Sequence, residues 1–396
     1  MNLASNAVWQ FSLHWVQALV WVAVLAVVFW MGLKMRWSKL TAVLVFLTLD
    51  LVMFGSYVRL TDSGLGCPDW PGCYAKFTPL QAHEQIAQAV QEQGGTQGYV
   101  SPFKAWIEMI HRYAGSIIGT LIMVLLARAI WARRHGEDIK LGLPIVLFLW
   151  VILQGLFGKW TVTMRLIPLV VTLHLMGGII LLMLLAWFWM RNRADLPSVH
   201  AGTLTRTLLW TATVAVLVQI FLGGWTSTNY AALACSGFPT CNGTFTPDAN
   251  WAQGFTLWRH LGLTGDGQPI TEAALVAIQW GHRLFAIVAT AAVLAAVAAL
   301  WRHPALRRLG GWIAFAVVLQ VVFGIVLVTE GHPLVVAVAH NGGSAILVLL
   351  LTTGIYRVSA MARQQAPSDA LGSAFVKMPK GFSAGAGATG RPLPKH

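Results

Sequence analysis

The sequence predicts an all-α, polytopic membrane protein: two tandem four-helix bundles related by an axis along the membrane normal, preceded by one extra N-terminal helix. Three observations carry this prediction. Of 396 residues, 57% are hydrophobic and only 10% charged, far more apolar than a water-soluble domain of this length needs for its core. The apolar residues gather in stretches long enough to cross roughly 30 Å of hydrocarbon as helices. The second half of the chain also repeats landmarks of the first, in the same order.

The first stretch, at about 14–33, has no basic region ahead of it and is followed by Lys34-Met35-Arg36. It reads as a retained helix with an outside N-terminus rather than a cleaved signal. Four spans follow at about 40–58, 107–131, 142–163 and 168–190, then four more at about 205–225, 274–300, 310–328 and 334–356. The expected organisation is an N-terminal helix and linker (1–39), a first half (40–195), a second half (196–360) and a disordered cytoplasmic tail (361–396) rich in Gly, Ala, Ser, Pro and Lys.

Formal charge is +13, but the basic residues sit in alternate short loops instead of on one soluble face, which argues against nucleic-acid binding. Lys34, Arg36 and Lys39, then Arg128, Arg133, Arg134 and Lys140, then Arg191, Arg193 and Arg206, then Arg302, Arg307 and Arg308 mark one side, cytoplasmic by the positive-inside rule. The long loops at 59–106 and 226–273 then face outward from a bacterial inner membrane. They hold all four cysteines. An oxidising compartment makes the disulfides Cys67–Cys73 and Cys235–Cys241 the default reading, with a shared zinc site as the alternative.

The repeat is read from those loops outward. Leu65-Gly66-Cys67 through Cys73 corresponds to Leu233-Ala234-Cys235 through Cys241, 168 positions later; His111-Arg112 corresponds to His282-Arg283 at 171; Leu153-Gln154 with Phe157-Gly158 corresponds to Leu319-Gln320 with Phe323-Gly324, and His174 to His340, both at 166. Shared hydrophobicity alone does not keep four landmarks in one register, so the halves descend from one unit.

Ionisable side chains within a membrane are costly, and those that occur usually face the bundle interior and serve a function. His111, His174, His282 and His340 each fall within the first turns after the chain enters from the outer side. Within each half, the histidine-bearing helices run in the same direction and can face one another, and two facing imidazoles can ligate both axial positions of a haem iron. A lone intramembrane histidine is as readily a core residue bonded to a carbonyl; four at repeat-matched positions favour haem. Zinc or copper would want further soft or acidic ligands nearby. Arg112 and Arg283, directly after the first histidine of each pair, suit either haem propionates or a snorkelling interface position.

The halves differ in two charged positions. Glu108 sits one turn before His111, where the second half has Gln279, so chemistry is expected beside the first pair and electron transfer beside the second. Asp50 lies mid-helix where the second half has Val218; it suits a proton path or a hydroxyl partner.

With these residues in hand, the chain resembles the haem A synthase family of membrane cytochrome-oxidase assembly proteins. The resemblance rests on Arg59-Leu60-Thr61-Asp62-Ser63-Gly64-Leu65-Gly66-Cys67-Pro68-Asp69-Trp70-Pro71-Gly72-Cys73, Glu108-Met109-Ile110-His111-Arg112, Thr172-Leu173-His174, Gln279-Trp280-Gly281-His282-Arg283 and Ala339-His340-Asn341, and spans about 40–356. It implies oxidation of the C8 methyl of haem O to a formyl group for cytochrome c oxidase. It also implies Glu108 as the catalytic carboxylate, His111 and His174 at the substrate haem, and His282 and His340 on a cofactor haem b. Implied partners are haem O, haem O synthase and a membrane or protein electron acceptor; a homo-oligomer is compatible with the sequence. The extra N-terminal helix departs from the family's eight-helix pattern. Two rivals are a dihaem b-type carrier passing electrons to quinone, which would have no special need of one carboxylate, and a proton-relay transporter without haem.

Overall fold

The computed structural model describes the backbone of residues 3–193, 196 and 198–359, with side chains from residue 19 onward. In chain order its helices are α1 (Leu3–Lys34), α2 (Trp37–Leu60), α3 (His83–Glu92), α4 (Pro102–Arg134), α5 (Gly142–Thr163), α6 (Pro168–Arg191), α7 (Thr203–Thr228), α8 (Trp251–Gly254), α9 (Glu272–Trp301), α10 (Arg307–Thr329) and α11 (Leu334–Val358). The protein is all-α, as expected for a chain that must satisfy its backbone groups inside each membrane segment.

Among the described residues, eight helices are long and apolar enough to cross a membrane, from α2 to α11 with α3 and α8 excluded. They match the eight repeat-related spans expected from sequence. The ninth expected span falls on α1, whose described apolar stretch, Leu19–Lys34, is shorter than a crossing requires. The expected tail at 361–396 lies outside the described residues.

Two membrane helices begin before their apolar runs do. Ser101 caps α4 by accepting a hydrogen bond from the Lys104 N–H at 3.2 Å, with Pro102 in the first helical position. Thr271 caps α9 through the Ala274 N–H at 3.3 Å. Each cap supplies an acceptor to a first-turn donor that has no partner within the helix.

Packing repeats along the chain. α2 lies against α4 and α6, and α5 lies against the same two; α7 lies against α9 and α11, and α10 against that pair. Contacts of α2 with α11, and of α6 with α7 and α11, connect the two sets. Leu40, Leu44, Ile122, Leu125, Leu147 and Leu185 form one buried apolar cluster. Leu209, Val293, Leu300, Ile313 and Leu351 form another, joined by Ile179 and Leu182 of α6. Both clusters lie toward the helix ends remote from the cysteine loops.

α1 packs on the flank of α4, where Trp21 and Tyr113 bring their ring centroids to 4.8 Å. Buried Arg128 of α4 donates to the Gly32 carbonyl at 3.2 Å and to the Met35 carbonyl, so acceptors at the C-terminal end of α1 are met by a cation. At the other membrane end the halves are tied together. Arg59 donates to the Ser227 carbonyl, the Tyr230 hydroxyl donates to Asp62 Oδ1 at 2.6 Å, and the Arg59 guanidinium lies 4.0 Å from the Tyr230 ring centroid. Each hydrogen bond joins residues 168 positions apart, the offset of the cysteine loops. Matching positions of the two halves therefore meet each other.

Candidate functional site

Each of the four histidines faces a glycine on a neighbouring helix. A Cβ at Gly55 of α2 would lie 3.0 Å from His111 Cε1, and one at Gly223 of α7 would lie 3.0 Å from His282 Cε1. At Gly158 of α5 it would lie 3.5 Å from His174 Cε1, and at Gly324 of α10, 3.7 Å from His340 Cε1. At Gly55 and Gly223 the absent side chain lets α2 and α7 approach an imidazole edge that any other residue would crowd, whereas at Gly158 and Gly324 a Cβ would make an ordinary contact. Gly55 and Gly223 are 168 apart and Gly158 and Gly324 are 166 apart, so the glycines belong to the repeat.

His174 lies within electrostatic range of His111, and His340 of His282. Nδ1 of His111, His174 and His340 is buried without a hydrogen-bond partner. These residues fit a haem iron. They bring paired imidazoles together, leave ring nitrogens uncommitted to the protein, and keep both rings clear of bulk. Among the described residues no group of three or more His, Cys, Asp or Glu gathers in a way that would suit another metal. The cysteines form the disulfides Cys67–Cys73 and Cys235–Cys241, which leaves no thiolate for the zinc alternative.

Glu108 is buried at the start of α4, with a side-chain exposure of 5%. Its Oε2 accepts the Cys67 N–H at 2.8 Å, and its Oε1 pairs with the Arg112 guanidinium one turn on. Arg112 also donates to the carbonyls of Asp69 at 2.8 Å and Gly72 at 2.5 Å. Together the two residues hold the disulfide loop down on the helix that carries His111. Gly66 permits that closeness, because a Cβ there would fall 2.6 Å from the Ala105 nitrogen.

The second half keeps the clamp and loses the carboxylate. Arg283 donates to the carbonyls of Gly237 at 2.8 Å, Thr240 at 3.1 Å and Cys235 at 2.5 Å. Gln279 is buried, with its Oε1 unpartnered. Arg112 and Arg283, for which the sequence left haem propionates and a snorkelling interface position equally open, have a loop-holding function that the sequence reading did not assign.

Asp50 lies with Leu47, Leu51, Phe54 and Ala114 along a groove of about 220 Å³ between α2 and α4. Phe54 brings its ring centroid to 6.0 Å from that of His111. In the second half Val218 stands in the place of Asp50 and Phe285 in that of Ala114.

The sequence profile of a family described as cytochrome oxidase assembly protein matches residues 35–352. The chain belongs to this family. Its curated relatives include a haem A synthase of Shewanella oneidensis, 36% identical over 324 residues, covering 81% of this chain and 96% of the relative. Another, from Rhodopseudomonas palustris, is 29% identical over 332 residues (78% and 87%). A third, from Caulobacter vibrioides, is 28% identical over 351 residues (81% and 95%). The match to this family of assembly proteins spans both histidine pairs and both cysteine loops.

Sequence reasoning passed over Gly55 and Gly223, whose signal was a glycine recurring at the loop offset inside two apolar spans. It also passed over Gln219, whose amide lies 3.1 Å from His282 Nδ1. Its signal was a polar residue in a span where the other half has Leu51.

Proposed function

We propose that this membrane protein works as a haem A synthase through two unequal four-helix units, related by an axis along the membrane normal and covering 40–195 and 196–360. The reaction is oxidation of the C8 methyl of haem O to a formyl group for cytochrome c oxidase. His111 and His174 hold the substrate, and His282 and His340 hold a resident haem b. The cysteine loops face the outer side of a bacterial inner membrane. Haem O synthase delivers the substrate, and a membrane or protein acceptor takes the electrons.

The single observation that carries this assignment is the environment of Glu108: a buried carboxylate one turn from His111, where the matching position beside His282 is an amide. With water as the source of the formyl oxygen, oxidising the methyl group releases four protons along with the four electrons that pass to the acceptor, and a carboxylate can accept a proton where Gln279 cannot. The Cys67 N–H and Arg112 orient that carboxylate. Bound haem b supplies one-electron redox chemistry to the second unit. Arg112 and Arg283 sit where their charge also attracts propionates. The dihaem carrier reading gives Glu108 only its loop-holding contacts, and the family match favours the synthase.

The test is expression of the full chain in a cell that makes haem O but no haem A. Extracted haems should then contain haem A. Haem O alone, with the protein present in the membrane, would overturn the proposal.

A further inference from the structure

The two halves present their first histidines in nearly the same way, with Gly55 and Gly223 each 3.0 Å, as a Cβ would measure it, from the Cε1 of His111 and His282. One polar contact separates them. Gln219 of α7 places its Nε2 3.1 Å from His282 Nδ1 and 3.4 Å from His282 Nε2 and donates to the His282 carbonyl at 3.1 Å, while its Oε1 is buried and unpartnered. The residue 168 positions earlier, on α2, is Leu51, and His111 Nδ1 is buried with no partner, as are those of His174 and His340, so His282 alone among the four has a side-chain amide beside its Nδ1.

We infer that Gln219 is a positioning residue that makes the second site a permanent haem mount, and that Leu51 leaves the first site releasable. This rests on the reading that His282 and His340 hold resident haem b while His111 and His174 hold the substrate. An imidazole that ligates iron through Nε2 keeps its proton on Nδ1, and that N–H needs an acceptor when no water reaches it. Turning the Gln219 amide end for end presents Oε1 to that N–H and gives up the donation to the His282 carbonyl, so the amide exchanges a backbone bond for one to the ligand's proton. The hydrogen bond then fixes the ring's orientation and raises its basicity toward iron. Leu51 can do neither. His111 is a ligand with an unsatisfied N–H, suited to a site that must take in haem O and let haem A go.

Outer-shell partners of this kind typically change metal affinity 10- to 100-fold. The test purifies the full chain as wild type, Gln219→Leu, Gln219→Glu and Leu51→Gln. Two quantities are read: the rate of haem transfer to added apomyoglobin and the reduction potential of the bound haem b. Gln219→Leu should release haem b roughly 10- to 100-fold faster and raise its potential, since a weaker donor stabilises the ferric state less. Gln219→Glu keeps an acceptor and should restore retention with a potential below wild type. Leu51→Gln should slow release of haem from the first site.

Transfer rate and potential unchanged in Gln219→Leu would overturn the inference. So would a Gln219→Glu protein that loses haem as readily as Gln219→Leu, because packing and not the hydrogen bond would then be responsible. A wild-type protein without haem b, or a His282→Ala protein that keeps it, would instead overturn the underlying reading of the two sites.

Discussion

Replacing Gly223 with Ala puts a methyl group 3.0 Å from His282 Cε1. Carbon atoms in good contact lie about 3.5–4.0 Å apart, so the imidazole or α7 must yield by a few tenths of an ångström. Overpacking of this kind costs about 1–3 kcal/mol. If that cost falls on the ligand's position, haem b affinity drops roughly 5- to 140-fold at about 1.4 kcal/mol per tenfold. Gly324→Ala is the internal control: its Cβ would sit 3.7 Å from His340 Cε1, an ordinary contact, and haem b should be retained. Neither variant should suffer as a helix, since Ala in place of Gly favours helical structure by about 1 kcal/mol. The assay is haem b per polypeptide by pyridine haemochrome after purification, with helix content followed by circular dichroism. Equal haem loss in the two variants, or full retention in Gly223→Ala, would refute the claim that these glycines clear space beside ligating imidazoles.

Two further outcomes follow from the outer end of the molecule. Cys67→Ser opens a loop of a few residues whose closure contributes roughly 2 kcal/mol and loosens the backbone N–H that holds Glu108; conversion of haem O should fall while haem b content stays, and equal loss of both would contradict the assignment of that loop to the first site. Tyr230→Phe removes the 2.6 Å hydrogen bond to Asp62 that joins the halves. Burial, foremost, pushes the Tyr230 phenol from its ordinary value near 10 up to about 12, so its contribution is fully present below pH 10 and is lost as pH rises through 12; thermal melts across that window should show a steeper alkaline decline in wild type than in Tyr230→Phe.

Much of the fold was legible because hydrophobic length is a local property. The eight repeat-related spans can be read from apolar runs alone, and the histidine pairs from their offset. Helix starts were harder to read: α4 and α9 extend into polar sequence because Ser101 and Thr271 cap them, a signal that a hydropathy average conceals. α3 escaped because its ten residues are mostly polar, and Ile86 is the one it buries. Glu108 stood out as a charge in an apolar run, whereas its attachment to Cys67 joins residues 41 positions apart and emerges only from the fold. Gln219 carries no charge, so its meaning depends on an imidazole 63 positions away. Arg112 illustrates the same limit from the other direction, since sequence placed a cation at the right end of the helix but could not show that loop carbonyls surround it.

The most direct test of the central claim, that one histidine pair works on haem O beside Glu108 while the other keeps a haem b, is a comparison of haems bound to wild type and Glu108→Gln. Glu108→Gln copies Gln279 of the second half and keeps the size of the side chain. Haems extracted from purified protein and identified by mass spectrometry should show haem b at the wild-type amount in both, with haem O accumulating and haem A lost in the variant. Haem A at the wild-type level in Glu108→Gln, or loss of haem b along with it, would contradict the division of labour between the two sites.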